Sequence, residues 1–143
     1  MGWVPPDMKQ SPIFVRTYEL MLWLVPRTLA FPRSQRGVLA RRIQQQVFGL
    51  YETLVDAAGS ADPLPHLRQA DGTLTKLRAY LRLSHDLHLL SLRQYGHACR
   101  LLAEVGRLLG GWIRSIEQAT TAGYSAVSRG RSGDAAGRLV EQQ

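Results

Sequence analysis

The stretch from residue 91 to residue 116 carries a strong apolar pattern that constrains how this chain can fold. Its apolar residues recur at alternating steps of three and four, which is the spacing that places side chains on one side of an α-helix. They are Tyr95, Ala98, Leu102, Val105, Leu109, Trp112 and Ile116. Ser91 and Gln94 have the spacing of a capping box, so the sequence predicts that the helix begins next to Ser91.

The opposite side of this predicted helix is largely basic. Its residues are Arg93, His97, Arg100, Glu104, Arg107, Gly111 and Arg114. Such a stripe is either an ordinary solvated face or a binding surface, and the pattern leaves both interpretations open.

The same predicted helix contains three glycines, and a glycine inside a helix costs ~1 kcal/mol relative to alanine. Because Gly106, Gly110 and Gly111 interrupt this helix, we expect another backbone to approach closely beside Trp112.

Three earlier segments are also amphipathic and predict helices. The first begins at Ser11 and Pro12, with an apolar seam of Phe14, Tyr18, Met21, Val25 and Leu29. The second is predicted to be capped by Ser34, with the seam Leu39, Ile43, Val47, Leu50, Leu54 and Ala58. The third is predicted to be capped by Asp62 and to run to about Leu89, with the seam Leu67, Ala70, Leu74, Leu77 and Leu81 and a continuation through Leu87 and Leu90.

Four helices with short turns and one seam each predict an all-α fold, an up-down-up-down antiparallel four-helix bundle over residues 11–117. Residues 1–10 are expected to form a flexible arm. Residues 118–143, which are basic and rich in Gly, Ser and Ala, are expected to form a disordered tail. Second apolar rows, such as Phe48, Tyr51 and Val55, leave surface that a single bundle does not bury, and this predicts self-association.

The charge balance indicates a polyanionic partner. The net charge is +7 and the sequence pI is about 10.3, which favours nucleic acid. Only Lys9 and Lys76 among the cations are lysine, and arginine both grips phosphate in a bidentate fork and stacks on bases. On charge alone, the candidate binding residues are the arginines that crowd the first half of the second helix, where the helix dipole disfavours cations. They are Arg33, Arg36, Arg41 and Arg42.

Residues that could carry catalytic chemistry are sparse. There is no Gly-rich phosphate loop, nucleophile elbow or HExxH motif, so the sequence predicts neither an enzyme nor a cofactor. His85 and His88 are three residues apart and could place two imidazoles on one metal ion, which leaves a small metal-binding bundle as one hypothesis. Cys99 is the only cysteine and is expected to be an inert buried thiol.

The sequence predicts a cytoplasmic protein without a membrane partner. The first residues lack a basic region followed by a long apolar run, as a signal peptide would have. The apolar run from Leu20 to Val25 is far shorter than the ~20 residues that span a bilayer.

Four segments, in this order and at these separations, resemble a known family. They are Tyr18-Glu19-Leu20, Phe31-Pro32-Arg33, Leu77-Arg78-Ala79-Tyr80-Leu81-Arg82-Leu83, and residues 104–113, which read EVGRLLGGWI. The family is that of the accessory variability protein (Avd) of diversity-generating retroelements. It belongs to a wider four-helix family that includes proteins encoded in bacterial 23S rRNA intervening sequences. The resemblance covers roughly residues 13–116.

The resemblance implies a homopentameric barrel of four-helix protomers, encoded by a bacterium, an archaeon or a phage. It implies a protein without catalytic activity that binds the retroelement's reverse transcriptase and template RNA and supports mutagenic complementary DNA synthesis. The residues that it carries over as RNA- or polymerase-binding are Arg78, Arg82, Arg107 and Arg114. A ribosome- or rRNA-associated protein of the intervening-sequence group, with the same fold, remains the alternative.

Overall fold

The structure is a computed structural model that describes the backbone of residues 11–141 and the side chains of residues 11–129. The expected arm, residues 1–10, lies outside the described residues. Four long helices follow one another: α1 Pro12–Leu29, α2 Arg41–Ala58, α3 Leu64–Asp86 and α4 Leu92–Glu141. A short turn, Arg33–Gln35, and a π-helical turn, Arg36–Ala40, lead into α2. No strand occurs in residues 11–141, so the all-helical prediction is confirmed.

Helices α1 and α2 run antiparallel. Near the start of α1, the Phe14 ring packs edge-on against Tyr51 of α2, with ring centroids 5.9 Å apart. Near the end of α1, the Thr28 hydroxyl accepts a 2.9 Å hydrogen bond from the side-chain amide of Gln44 in α2. Helices α2 and α3 then pack against each other more extensively than α1 and α2 do.

Helices α3 and α4 are antiparallel as well. His85 in the last turn of α3 stacks on Tyr95 in the first turn of α4, with ring centroids 5.0 Å apart and planes 8° apart. Leu74 of α3 lies beside Gly106 of α4, farther from the connection. This arrangement is consistent with the predicted bundle. The bundle lies in the compact unit that ends at Gly110, and the chain from Gly111 onward forms a second unit.

The predicted seams of α2, α3 and the first part of α4 form the core. The seam of α3 is completely buried from Leu67 to Leu81, whereas Leu87 of its predicted continuation is exposed. The seam of α2 is buried except that Ala57 takes the place of Ala58. In α4, the buried residues are Ala98, Leu102, Val105 and Leu109, whereas Trp112 and Ile116 are half-buried. In these helices the main apolar period identifies the face that points inward.

The predicted seam of α1 is wrong by about one residue of rotation. Tyr18 and Leu29 are 57% and 60% exposed, although the sequence pattern includes both in the seam. The buried positions include Leu20, Leu24 and two threonines, Thr17 and Thr28. Each threonine hydroxyl bonds a carbonyl of its own helix, Ile13 O at 2.6 Å and Val25 O at 2.8 Å. Because its hydroxyl is hydrogen-bonded within the helix, each threonine can be buried at little cost in free energy. A search for apolar residues alone does not identify these threonines as core positions.

Ser11 is the N-cap residue of α1, as predicted, but makes no side-chain cap hydrogen bond, and the capping box predicted at α4 is confirmed. The backbone N–H of Gln94 donates to the Ser91 hydroxyl at 3.1 Å, and the backbone N–H of Ser91 donates to the Gln94 side-chain oxygen at 2.9 Å. Ser34 lies inside the Arg33–Gln35 turn and makes no cap, and α3 begins one residue later than predicted, after Pro63. The two hydrogen bonds at Ser91 fix where α4 begins and therefore the register of its basic stripe.

Helix α3 ends at Asp86 rather than near Leu89. His88 adopts a left-handed φ of 63°, which a right-handed helix cannot contain. The tight turn that follows exposes Leu87 but buries Leu90. The short connection to α4 thus depends on one residue in the left-handed conformation. The spacing of apolar residues does not predict such a residue.

The sequence predicts a disordered tail from residue 118, but in the structure α4 continues to Glu141. Nearly all side chains of residues 117–129 are exposed. Thr120 and Thr121 bond the carbonyls of Ile116 and Glu117 one turn earlier. The prediction rested on the missing apolar seam and on the Gly, Ser and Ala content of the segment; its backbone is helical without burying such a seam. The domain boundary at residue 117 stays a prediction.

Removal of residues 118–143 is expected to leave the thermal unfolding transition of the bundle almost unchanged. The described side chains of this segment bury little surface, so their removal takes away little hydrophobic stabilisation. Circular dichroism melts of the full chain and of the chain ending at Glu117 would measure this. A fall of many degrees in the shorter chain would contradict the boundary.

Candidate nucleic-acid interface

All eight arginines predicted to bind RNA or polymerase have exposed side chains. They fall into separate places along the fold rather than into one uniform patch. Four lie in the turns before α2 and at its start: Arg33, Arg36, Arg41 and Arg42. Two lie on α3, Arg78 and Arg82, and two on α4, Arg107 and Arg114. Arg114 lies in the unit after Gly110, where it borders a hollow with Glu117, Gln118 and Thr121.

The arginines before α2 surround the π-helical turn. Arg36 donates a 2.8 Å hydrogen bond from Nε to the carbonyl of Phe31, so it holds the turn between α1 and α2. Arg41 borders a shallow groove on α2 of about 470 Å³, beside Phe48 and Glu52. π-helical turns are frequent at functional sites, and this one presents Val38 to solvent. The structure thus gives Arg36 a structural role and leaves Arg41 on an open groove.

Arg78 lies across the junction of α3 and α4. Its Nη2 atom is 2.9 Å from the position that a Cβ on Gly106 would take, which is too close for a real side chain. Gly106 therefore leaves room for the Arg78 guanidinium. A close approach is thus found at Gly106, but a side chain approaches there and not the backbone that the glycines predict. At Gly111, no described heavy atom lies within 4 Å of an added Cβ.

Arg82 is one turn beyond Arg78 on α3. Its Nε lies 3.8 Å from Oδ2 of Asp86, and both side chains are mostly exposed. An exposed ion pair at this distance contributes about 0–1 kcal/mol. Arg82 can therefore exchange Asp86 for a phosphate at little cost.

Arg107 is bound more firmly than Arg82. Its Nη2 and Nε donate to the two carboxylate oxygens of Glu104 at 2.7 Å and 3.1 Å. These hydrogen bonds lower the pKa of Glu104 below its ordinary value and raise the pKa of Arg107. Arg16 on α1, which is paired with Glu19, interacts electrostatically with both residues. The charges alternate in this group, so Arg107 is a weaker candidate for phosphate binding than Arg78.

A notch lined by residues of α1 and α4 is not predicted by the sequence. It has a volume of about 380 Å³, and we call it the Trp23 notch. Its lining residues are Trp23, Arg27, Arg93, Gln94, His97 and Arg100. The basic members of α4 are visible in the sequence as a stripe. Trp23 is not connected with them there, because that connection depends on how α1 packs against α4.

The two histidines of the metal hypothesis do not share a helix face. His85 stacks on Tyr95, and its Nδ1 lies 3.2 Å from the carbonyl oxygen of Leu90. His88 is outside α3, in the left-handed turn. The helical spacing on which the hypothesis depended is therefore absent, and the described residues contain no group of three possible metal ligands.

Cys99 is exposed, so the expectation of a buried thiol is wrong. It follows the seam residue Ala98 and lies one turn after Tyr95, at the edge of the core. The interaction with Cys99, aided by burial, raises the pKa of the Tyr95 hydroxyl above its ordinary value.

Replacement of Gly106 by alanine tests whether this glycine exists to seat Arg78. Alanine would favour the helix by ~1 kcal/mol, and the atom it meets is the movable end of a side chain. We expect thermal stability to be kept or slightly raised and partner binding to fall, because Arg78 must leave its position. Gly72→Ala on α3 is the matched control, since no described heavy atom lies within 4 Å of its added Cβ. Equal binding by both variants would contradict a seating role.

The fold and the surface together define a class: a small helical protein whose candidate site consists of exposed arginines. No helix in the described part of the chain is both long and apolar enough to cross a membrane. A family model described as bAvd-like matches residues 13–116. The chain therefore belongs to the bAvd-like family, which is a family of accessory, non-catalytic proteins. A search of curated proteins finds no match.

Proposed function

We propose that this protein is a non-enzymatic accessory subunit of a diversity-generating retroelement. In this role it binds the reverse transcriptase and the template RNA and supports mutagenic complementary DNA synthesis in the cytoplasm. The observation that carries the proposal is the family match over residues 13–116, which spans the bundle together with Arg78, Arg82 and Arg107. The match favours this role over the rRNA-associated alternative.

The electrostatics support a nucleic-acid partner. The net charge of +7 provides a field that attracts RNA of any sequence. Within that field, the Arg78 guanidinium lies in the space that Gly106 leaves at α4, and Arg82 carries only a weak ion pair. Two guanidinium groups one turn apart can follow adjacent phosphates or an acidic patch on the polymerase. We expect these two residues to contribute most of the eight candidates.

The exposed face of α1 supports a homo-oligomer, which we propose to be a pentamer. Val15, Tyr18, Leu22, Val25 and Leu29 are spaced by alternating steps of three and four, like a coiled-coil seam. Four of them are exposed large hydrophobic residues, and Val25 is half-buried. We call this set the α1 stripe. A continuous apolar stripe on the outside of a bundle favours burial against another helix.

Reconstitution with the reverse transcriptase encoded beside this protein tests the proposed function. We expect the protein to copurify with the polymerase, to bind the template RNA, and to be required for complementary DNA synthesis. Omission of the protein is the control. Synthesis that proceeds equally without it would contradict the proposal, and selective binding to ribosomal RNA would favour the alternative instead.

A further inference from the structure

We propose that the Trp23 notch is a binding site for an unpaired nucleotide of single-stranded RNA. A base would stack against the aromatic pair of the notch, and its phosphate would be held by the arginines. The inference rests on the proposed function in one respect, that the protein binds RNA. It adds a site on α1 and α4 that is separate from Arg78 and Arg82, and a preference for unpaired over paired RNA.

The aromatic pair is open. The centroids of the Trp23 and His97 rings are 5.0 Å apart, and the ring planes meet at 52°, so the rings form a wedge rather than a closed stack. Both side chains are half-buried, which leaves ring surface in contact with solvent. The notch volume of about 380 Å³ lies within the range of roughly 300–1,000 Å³ that is usual for small-ligand sites.

Arg27 is fixed over the tryptophan. Its guanidinium carbon lies 4.5 Å from the Trp23 ring centroid, and its Nη1 donates a 3.0 Å hydrogen bond to the Trp23 carbonyl. A planar cation held against an aromatic ring presents donors at the edge of the place where a base would stack. Arg27 can therefore reach a phosphate or a base edge without first losing side-chain freedom.

The remaining cations converge from α4. Arg93 and Arg100 border the notch, and both are exposed. Arg100 folds back over Gly96, with Nη1 3.5 Å from the position of an added Cβ. Among the described residues that line the notch, none is acidic. Three guanidinium groups around one hollow repel one another, and an anion bound there would relieve that repulsion.

A second hollow that shares residues with the Trp23 notch has a different lining. It shares Trp23, Arg27 and His97 with the notch, and it is otherwise lined by Glu19, Leu22 and Leu101. A carboxylate and two leucines do not attract phosphate. The backbone of an RNA strand would therefore lie on the side of Arg93 and Arg100. Stacking on an aromatic side chain requires a base splayed out of its helix, which selects unpaired RNA over a duplex.

The test compares two labelled RNAs of equal length, a single-stranded oligonucleotide without self-pairing and a hairpin. Fluorescence anisotropy would give the dissociation constants for the full chain and for Trp23→Leu. We expect Trp23→Leu to weaken binding of the single strand roughly tenfold, as removal of one base–aromatic stack does. Binding of the hairpin should change little. The salt dependence should also stay the same, because no charge is removed. Trp23→Phe keeps an aromatic ring, so its affinity for the single strand should fall between those of the full chain and Trp23→Leu.

A second variant keeps the inference testable if Trp23→Leu disturbs folding. Arg93→Gln with Arg100→Gln changes only exposed side chains. It should reduce the slope of log affinity against log salt by about 0.7 for each arginine that no longer binds a phosphate of the single strand. Lys76→Gln with Arg129→Gln also removes two exposed positive charges, at positions that do not line the notch. It is the matched charge control and should reduce the slope less.

Several outcomes would overturn the site. One is equal binding of the single strand by the full chain and by Trp23→Leu, and another is an equal weakening for single strand and hairpin. A poly-glutamate peptide that displaced the RNA at matched ionic strength would indicate an acidic protein ligand instead. If the unmodified protein bound neither RNA, the proposed function itself would fail. If it bound both and the variants behaved like the parent, the notch alone would fail.

Discussion

Replacement of Arg78 and Arg82 together by alanine is expected to suppress complementary DNA synthesis in a reconstituted reaction. The two residues lie one turn apart on α3, and Gly106 seats the Arg78 guanidinium against α4. Each arginine bound to a phosphate releases condensed counterions and contributes about −0.7 to the slope of log affinity against log salt for single strands. Removal of both guanidinium groups should weaken RNA binding about tenfold or more at moderate salt, and flatten the salt dependence by about 1.4.

Both side chains are exposed, so the double variant should keep its helical signal and its oligomeric state. Arg78→Lys with Arg82→Lys separates charge from shape. If only charge matters, the lysine pair should behave like the parent, and if the planar fork matters, it should resemble the alanine pair. An alanine pair that folds, binds and supports synthesis like the parent would contradict this assignment. The accessory role could then rest on Arg107, Arg114 or the arginines from Arg33 to Arg42.

The periodicity of α2, α3 and α4 is enough to predict most of the core. In α1 it is not enough, because apolar residues occupy two neighbouring faces of the helix. The face that packs inward includes Thr17 and Thr28, whose hydroxyls are satisfied within the helix. The face that the apolar period favours as core includes Tyr18 and Leu29 and points outward. A sequence period gives the presence of an apolar face, whereas the choice between two faces depends on the packing of the other helices.

The contacts of the candidate site can be predicted from the sequence only where both residues lie on the same helix. The bidentate pair of Glu104 and Arg107 follows from a spacing of three on α4, which the sequence displays. The seating of Arg78 by Gly106 and the meeting of Trp23 with His97 do not follow from any such spacing. Each of these contacts joins two helices, so each depends on an axial register that no local pattern contains.

The residues of the predicted α1 seam that are exposed in the structure have another interpretation. Tyr18 and Leu29 are not core residues, yet with Val15 and Leu22 they keep the spacing of a helix-packing face. Leu22 in this face is 63% exposed, and burial of its side chain against a second protomer would add hydrophobic stabilisation. We therefore propose two uses for the two apolar faces of α1: one packs in the bundle, and the other would pack between copies.

Replacement of Leu22 by glutamate is expected to convert the proposed pentamer to 16.0 kDa protomers. A charge placed in the α1 stripe would be buried without a partner in the assembly, which costs several kcal/mol per interface, and a closed ring repeats this cost at every interface. The protomer should still fold, since the side chain faces solvent there. Light scattering at micromolar concentration would measure the mass, and circular dichroism would confirm the helices.

Leu92→Glu is the matched control, because Leu92 is 73% exposed but lies on α4 outside the stripe. It should keep the mass of the parent assembly. If Leu22→Glu also kept that mass, the stripe would not be the interface, and a parent protein that is itself a monomer would contradict the oligomer. The dissociated variant would retain Arg78 and Arg82 on every protomer. It should nevertheless bind long RNA far more weakly than the parent, because a ring that presents several copies of one site gains avidity that a single protomer lacks.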